Sequence, residues 1–294
     1  MSTTRKLKND CFSLPQGVDW TPLDEALLHL ENSLTPIVET EVLPIDLAVG
    51  RILATDLQAA SESPPFSNSA VDGYAFRFAD VCEKYLELKK GRAAAGHPFS
   101  YAIEKGQALR IFTGAVLPAG ADTVVLQEDV QVEGNKIYFG NSLNPGANTR
   151  TAGEDIKRGQ IIAFKRDHVT AFMAASSISS GIKRAEVYRK LKVGVFSTGD
   201  ELIDFEQALK FGSVFDVNSP MLASLLTAWG YEVLELGKIP DNLEVLRDKL
   251  NKASETFDVL ITSGGASAGD EDHLASILNS EGQVTEWRIA IKPG

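Results

Sequence analysis

A chain of 294 residues is long enough for two or three domains, each with its own core. Hydrophobic residues at 44% and charged residues at 23% are ordinary for a soluble globular protein, and a net charge of −11 argues against nonspecific binding to nucleic acid or to an anionic membrane. Cys11 and Cys82 offer neither a disulfide framework nor a metal knuckle, and His29, His97, His168 and His273 lack ligand spacing. No apolar run approaches the ~18 residues of a membrane span, and the polar start Met1–Asp10 is not a signal peptide, so the cytoplasm is the expected compartment.

Residues 1–20 read as polar and irregular. Thr21-Pro22-Leu23-Asp24 predicts a helix start, with Thr21 as N-cap and Pro22 in the first helical position. Leu23, Leu27, Leu30 and Leu34 share one face, which predicts core packing. From residue 37 to 190 the pattern changes to short strands, glycines and turns, so this region is expected to be irregular and β-rich. Val130/Val132 and Ile137/Phe139 alternate around Gly134-Asn135, which predicts a hairpin.

From Leu191 onward strands and helices alternate. Lys192–Thr198 reads as a strand, and Ser219-Pro220 opens a helix with Leu222, Leu225, Leu226 and Trp229 inward and Gly230 at its close. Tyr231–Leu236 is the next strand. Asp241-Asn242-Leu243-Glu244 resembles a capping box, with Leu243, Leu246 and Leu250 facing inward. Asp258–Thr262 follows as a buried strand, then a glycine-rich loop, a short helix from about Asp272 and a strand around Val284–Ile291. The expected fold is therefore a three-layer α/β domain with a parallel sheet over 191–294, preceded by a β-rich region over 21–190. In such sheets ligands bind beyond the carboxyl ends of the strands.

Two loops leave those ends. Thr262-Ser263-Gly264-Gly265-Ala266-Ser267-Ala268-Gly269-Asp270-Glu271-Asp272 sets backbone amides beside carboxylates, a pattern able to hold a phosphate and a divalent cation. Ser197-Thr198-Gly199-Asp200-Glu201-Leu202 either presents two acids to a cleft or is simply an acidic turn. Asp216-Val217-Asn218-Ser219 precedes a helix, where Asn218 or Ser219 is a plain cap or the helix amides receive a phosphate. In the β-rich region, Pro64–Ala75 is stiffened by two prolines, Gly73 permits a sharp reversal beside Asp72, and Phe66 and Tyr74 read as packing residues. Thr113-Gly114-Ala115 and Gly153-Glu154-Asp155 are further small-residue turns. There is no Walker A sequence and no Gly-x-Gly-x-x-Gly fingerprint.

Taken in order, Asn68–Ala75, Thr113–Pro118, Gly153–Ile156, Ser197–Leu202, Thr262–Asp272 and the closing Ile291-Lys292-Pro293-Gly294 resemble the molybdopterin molybdenumtransferases, the family of bacterial MoeA and the E domain of gephyrin. The resemblance extends over nearly the whole chain from about Leu23. It implies an elongated homodimer with a composite active site, insertion of molybdate into adenylylated molybdopterin with release of AMP, and Mg2+ as cofactor. It implies Glu201 and Asp272 as cleft acids working through the metal, and Asp72, Thr113 and Asp155 as residues brought to the partner's cleft. Thr198, Gly199, Asp200, Asn218, Ser263, Gly264, Gly265, Ser267, Lys292 and Pro293 become substrate-binding positions. Protein partners implied on the same ground are the molybdopterin adenylyltransferase and molybdoenzyme chaperones.

Two departures stand out. Val71 occupies a position that is often methionine. The family also continues beyond its Lys-Pro pair into the rest of the α/β domain and a small C-terminal β-barrel, so a fragment, a truncated reading frame or an incomplete record is expected, with weakened turnover. A noncatalytic pterin-binding or scaffold protein is one competing reading. The molybdopterin adenylyltransferase is another, against which the region carrying Asp72 and Asp155 argues.

Overall fold

The computed structural model describes residues 21–81, 84–140, 142–264, 273–282 and 289. They pack as two compact units: one is Thr40–Tyr188, and the other joins the described parts of Met1–Glu39 and Arg189–Gly294.

Helix α1 spans Leu23–Ser33 in the second of these units, with Pro22 as its N-cap and no side-chain cap. The Thr21 cap is thus not formed. The leucine stripe is also not core: Ala26 is the buried residue of α1, while Leu23, Leu27 and Leu34 stand exposed. Spacing places leucines on one face, but it does not supply the surface that covers them.

Thr40–Tyr188 contains, in chain order, β1 (Thr40–Pro44), β2 (Leu57–Gln58), β3 (Asn68–Ser69), β4 (Gly73–Phe76), β5 (Leu86–Ala93), β6 (Gln107–Ile111), β7 (Thr123–Leu126), β8 (Gln131–Glu133), β9 (Lys136–Tyr138), β10 (Thr149–Arg150), β11 (Ile161–Ala163), α2 (Ala171–Ser179) and β12 (Arg184–Tyr188). A six-stranded mixed sheet runs β7-β4-β6-β5-β9-β8. Alternation along β4 and β6 sends Ala75, Leu109 and Ile111 into one core and Phe76 and Ala108 into the other. The predicted hairpin is β8–β9, with Val132 opposite Ile137. Gly73 starts β4 and does not turn the chain: a Cβ there would lie 1.9 Å from the Val125 carbonyl oxygen, so close strand approach is what requires glycine. Phe66, read as packing, is exposed, whereas Tyr74 packs against the Phe76 core.

A separate core holds Ile45, Leu53, Leu57, Val169, Ala174 and Val187 beneath α2, a helix that the sequence reading did not find. Thr170 caps it by accepting from the Met173 amide. β1 pairs antiparallel with β12, from Thr40 opposite Tyr188 to Pro44 opposite Arg184.

In the α/β unit, β13 (Lys192–Thr198) is followed by β14 (Leu202–Ile203), β15 (Val214–Phe215), α3 (Asn218–Ala228), β16 (Glu232–Ile239), α4 (Leu243–Ser254), β17 (Val259–Ser263) and α5 (His273–Glu281). β13 lies between β16 and β17, all parallel. Val193, Val195 and Leu226 form the core on the α3 side; Phe196, Ile239, Leu246, Leu274 and Ile277 form the one under α4 and α5. Helix–sheet–helix layering follows. Phe196 is fully buried, and such a side chain contributes roughly 1.5–3 kcal/mol. Leu225 and Trp229, expected inward, are exposed, while Leu222 packs on the core. The strand expected around Val284–Ile291 lies outside the described residues, except that Ile289 bridges Thr21 in parallel. Arg189 fastens the start of this unit: its amide donates to the Glu39 carbonyl at 2.9 Å, and its guanidinium makes paired bonds to Asp258 at 2.8 and 2.9 Å.

Candidate functional site

The carboxyl ends of β13 and β17 lie side by side, and the next described helices after them, α3 and α5, pack on opposite faces of the sheet. A crevice opens at such a switch point. Gly264 turns there at φ +99, and a Cβ on it would fall 2.5 Å from the Thr198 carbonyl oxygen and 2.8 Å from Thr198 Oγ1. Glycine is therefore the residue that lets these two loops touch. Asn218 Nδ2 donates to Ser263 Oγ at 2.8 Å, joining the start of α3 to the end of β17. Asn218 is thus a tie across the crevice and not a helix cap.

The capping falls to Asp216. Its carboxylate accepts from the amides of Asn218 and Ser219, each at 3.2 Å, and from Ser197 Oγ at 2.5 Å. Burial works to raise this carboxyl group; the bonds from Ser197, Ser219 and Asn218 outweigh it and hold it below the ordinary carboxylate range. Asp216 was in view in the sequence as part of Asp216–Ser219, and an acid just before a helix is the signal that finds it.

Beside this capped helix end lies a cavity of about 630 Å³ lined by Asp200, Glu201, Asp216, Ser219, Glu235 and Lys238 among others. Glu201 is exposed on it, and no described residue donates a hydrogen bond to its carboxylate. Its Oε2 sits where a Cβ on Gly199 would come within 2.6 Å, so Gly199 makes room for it. Asp200 is anchored by its backbone, its carbonyl accepting from Lys238 Nζ at 2.9 Å, while its Oδ1 accepts a long 3.5 Å bond from the Asp241 amide. A carboxylate with no hydrogen-bond donor among the described residues is a hard-oxygen ligand of the kind magnesium takes, one or two such groups together with oxygens of the bound phosphates. Among the described residues no group of three or more His, Cys, Asp or Glu converges as a metal site. Asp272, Gly265, Ser267, Lys292 and Pro293 lie outside the described residues.

In the β-rich unit the structure joins Asp72 to Thr113, 41 positions apart: Asp72 Oδ1 accepts from both the amide and the Oγ1 of Thr113, each at 2.8 Å. The two Thr113 bonds, backbone first, with Arg110 nearby, hold the Asp72 carboxyl below its ordinary value. Arg110 stacks over Tyr74 and Phe112, 5.1 and 4.8 Å from their ring centres, and donates to the Gly73 carbonyl and to Gln127 Oε1. Asp155 is held elsewhere in this unit: both its oxygens accept from Arg150 Nη2, at 2.6 and 2.7 Å, and Arg150 Nε donates to Glu154. Arg110 and Arg150 were not picked out from the sequence. Arg150 carried a local signal, standing four and five positions before Glu154 and Asp155, whereas Arg110 lies three positions before Thr113 and far along the chain from Asp72.

A family described as the MoeA N-terminal region (domain I and II) matches residues 21–181, and one described as a probable molybdopterin binding domain matches residues 194–294. Fold and matches together define the class: a β-rich MoeA-type region followed by a molybdopterin-binding-type α/β domain. The molybdopterin molybdenumtransferase of Haemophilus influenzae is 38% identical over 273 residues, covering 92% of this chain and 68% of the relative. That of Nostoc sp. PCC 7120 is 36% identical over 274 residues, 91% of this chain and 63% of the relative. A crystal structure of the molybdopterin biosynthesis MoeA protein of Pyrococcus horikoshii superposes with a TM-score of 0.80 at 33% identity, over 94% of this chain and 70% of that one. The chain belongs to the MoeA family. It spans about two thirds of the length of these curated relatives. Among the described residues no helix is long and apolar enough to cross a membrane.

Proposed function

We propose that this chain acts in molybdenum cofactor biosynthesis as a molybdopterin molybdenumtransferase, inserting molybdate into adenylylated molybdopterin and releasing AMP. The observation that carries this reading is what gathers at the carboxyl end of β13: on the β17 side Gly264 packed on Thr198, and on the β16 side, by the capped start of α3, the Glu201 carboxylate on a cavity of about 630 Å³ whose lining includes neither Thr198 nor Gly264. Thr198, Gly199, Asp200, Asn218, Ser263 and Gly264 line the bound nucleotide, joined by Gly265, Ser267, Lys292 and Pro293.

Glu201 and Asp272 are the residues that would hold Mg2+, which would supply positive charge against the phosphate oxygens of the substrate. Asp72, kept ionised by Thr113, serves as an acceptor that orients water, and Asp155 stays fixed by Arg150. In this reading Asp72, Thr113 and Asp155 serve the cleft of a second copy in a homodimer, the protein is cytoplasmic, and the working divisions are 21–190 and 191–294. Its protein partners are the molybdopterin adenylyltransferase and molybdoenzyme chaperones.

The test is molybdate-dependent AMP release and binding of adenylylated molybdopterin, compared among the parent chain, Glu201→Ala and Asp72→Ala. Each variant should lose about 100-fold or more in AMP release with an unchanged melting temperature. Glu201→Ala should also weaken Mg2+-dependent binding. Full activity in either variant removes that residue from the mechanism.

A further inference from the structure

Lys238 stands near the end of β16, and it is turned toward the cavity by an irregularity in the strand. β16 pairs with β13 in regular parallel register up to Glu235 opposite Val195; then Gly237, not Leu236, lies opposite Phe196. Leu236 is the extra residue of a bulge, and Gly237 takes φ +71 to accommodate it. Strict alternation after Glu235 would give Gly237 to the cavity face and Lys238 to the α4 core. Instead Leu236 and Ile239, three residues apart, both pack in the α4 core, and Lys238 joins Glu235 on the cavity wall.

There the ammonium is engaged. Lys238 Nζ donates to the carbonyl oxygens of Asp200 and Leu202, both at 2.9 Å. The carbonyl between them, that of Glu201, accepts from the Val214 amide at 2.9 Å. Three successive carbonyls are thus held, two of them by one side chain. The Leu202 amide closes the turn on the Gly199 carbonyl at 3.2 Å. The Glu201 side chain, by contrast, has no partner among the described residues, so the backbone on either side of it is what fixes where it leaves the chain.

We propose that Lys238 is a positioning residue: it clamps the backbone flanking Glu201 and so fixes the point from which that side chain enters the cavity. The inference rests on the reading of Glu201 as a working acid of the site. A displacement of about 1 Å at such a group costs on the order of 100-fold in rate, so the clamp has a measurable consequence without touching substrate.

Amide hydrogen exchange over residues 198–203 tests the clamp directly, in the parent chain, Lys238→Met, Lys238→Arg and Glu201→Gln. Exchange at Leu202 should quicken about tenfold in Lys238→Met, return toward the parent rate in Lys238→Arg, and stay at the parent rate in Glu201→Gln. The amides of Glu244 and Val245, capped by Asn242, serve as the internal control and should not change. For AMP release, kcat should fall about 10- to 100-fold in Lys238→Met and recover in Lys238→Arg. Parent-like loop exchange in Lys238→Met overturns the proposal. So does a rise in KM alone, which would mean that the ammonium acts on ligand charge only. Should Glu201→Gln keep full activity, the functional reading fails, and the exchange comparison still decides whether Lys238 holds the loop.

Discussion

A methyl group at position 264 has no space, because it would meet the carbonyl oxygen of Thr198 as well as its Oγ1, and the backbone atom cannot swing away. Gly264→Ala is therefore expected to push the two loops apart, lowering stability by about 1–3 kcal/mol in urea unfolding and weakening nucleotide binding. Asp258 makes a different kind of prediction. Its bonds from Arg189, then from the Lys192 amide, lower its carboxyl to about 2. A carboxyl depressed on folding stabilises above its unfolded value near ~3.9 and loses that stabilisation as pH falls toward the folded value. Asp258→Asn should thus melt lower than the parent at pH 7, and the gap should close between about pH 4 and 2. A gap that persisted at the acid end would show that packing, not charge, underlies it. At this scale legibility was uneven. The Asp72–Thr113 pairing lies beyond any local spacing rule, and its two residues were singled out together only through the family resemblance. Lys238 was hidden because a bulge reverses the strand parity from which faces are read.

Elements were read best where their own ends carry the signal. Asn242 caps α4 by accepting from the amides of Glu244 and Val245 at 3.1 Å, so the helix starts where the Asp241–Glu244 pattern indicates. The cap falls one residue after Asp241, the position that a capping box with Glu244 requires. Asn242→Ala should cost about 1 kcal/mol in urea unfolding with the slope unchanged. Strand β13 runs over the very residues its apolar pattern marks, Lys192–Thr198. Faces were read less well. On α1 and α3 the spacing groups leucines correctly, yet Leu23, Leu27 and Leu225 are solvent-exposed in the single chain. Periodicity reports which residues point the same way; coverage depends on what folds over them. Helix α2 was missed because its nine residues, Ala171–Ser179, include three serines and only short apolar steps.

For the whole molecule, the proposed composite site has a direct test in mixed dimers. Combining Asp72→Ala and Glu201→Ala chains under conditions of proven subunit exchange should restore roughly a quarter of parent activity, because half of randomly paired dimers regain one intact site of two. No recovery would place Asp72 and Glu201 in the service of separate sites or of one chain. The arrangement of the chain within each unit carries one more implication. Thr40 and Tyr188 face each other across β1 and β12, and Glu39 and Arg189 are hydrogen-bonded neighbours. The polypeptide thus departs and comes back through a single doorway, so everything between can be exchanged, enlarged or lost without prying apart what lies outside. A lineage built this way is free to remodel its β-rich cassette and its pterin-binding half at different evolutionary speeds.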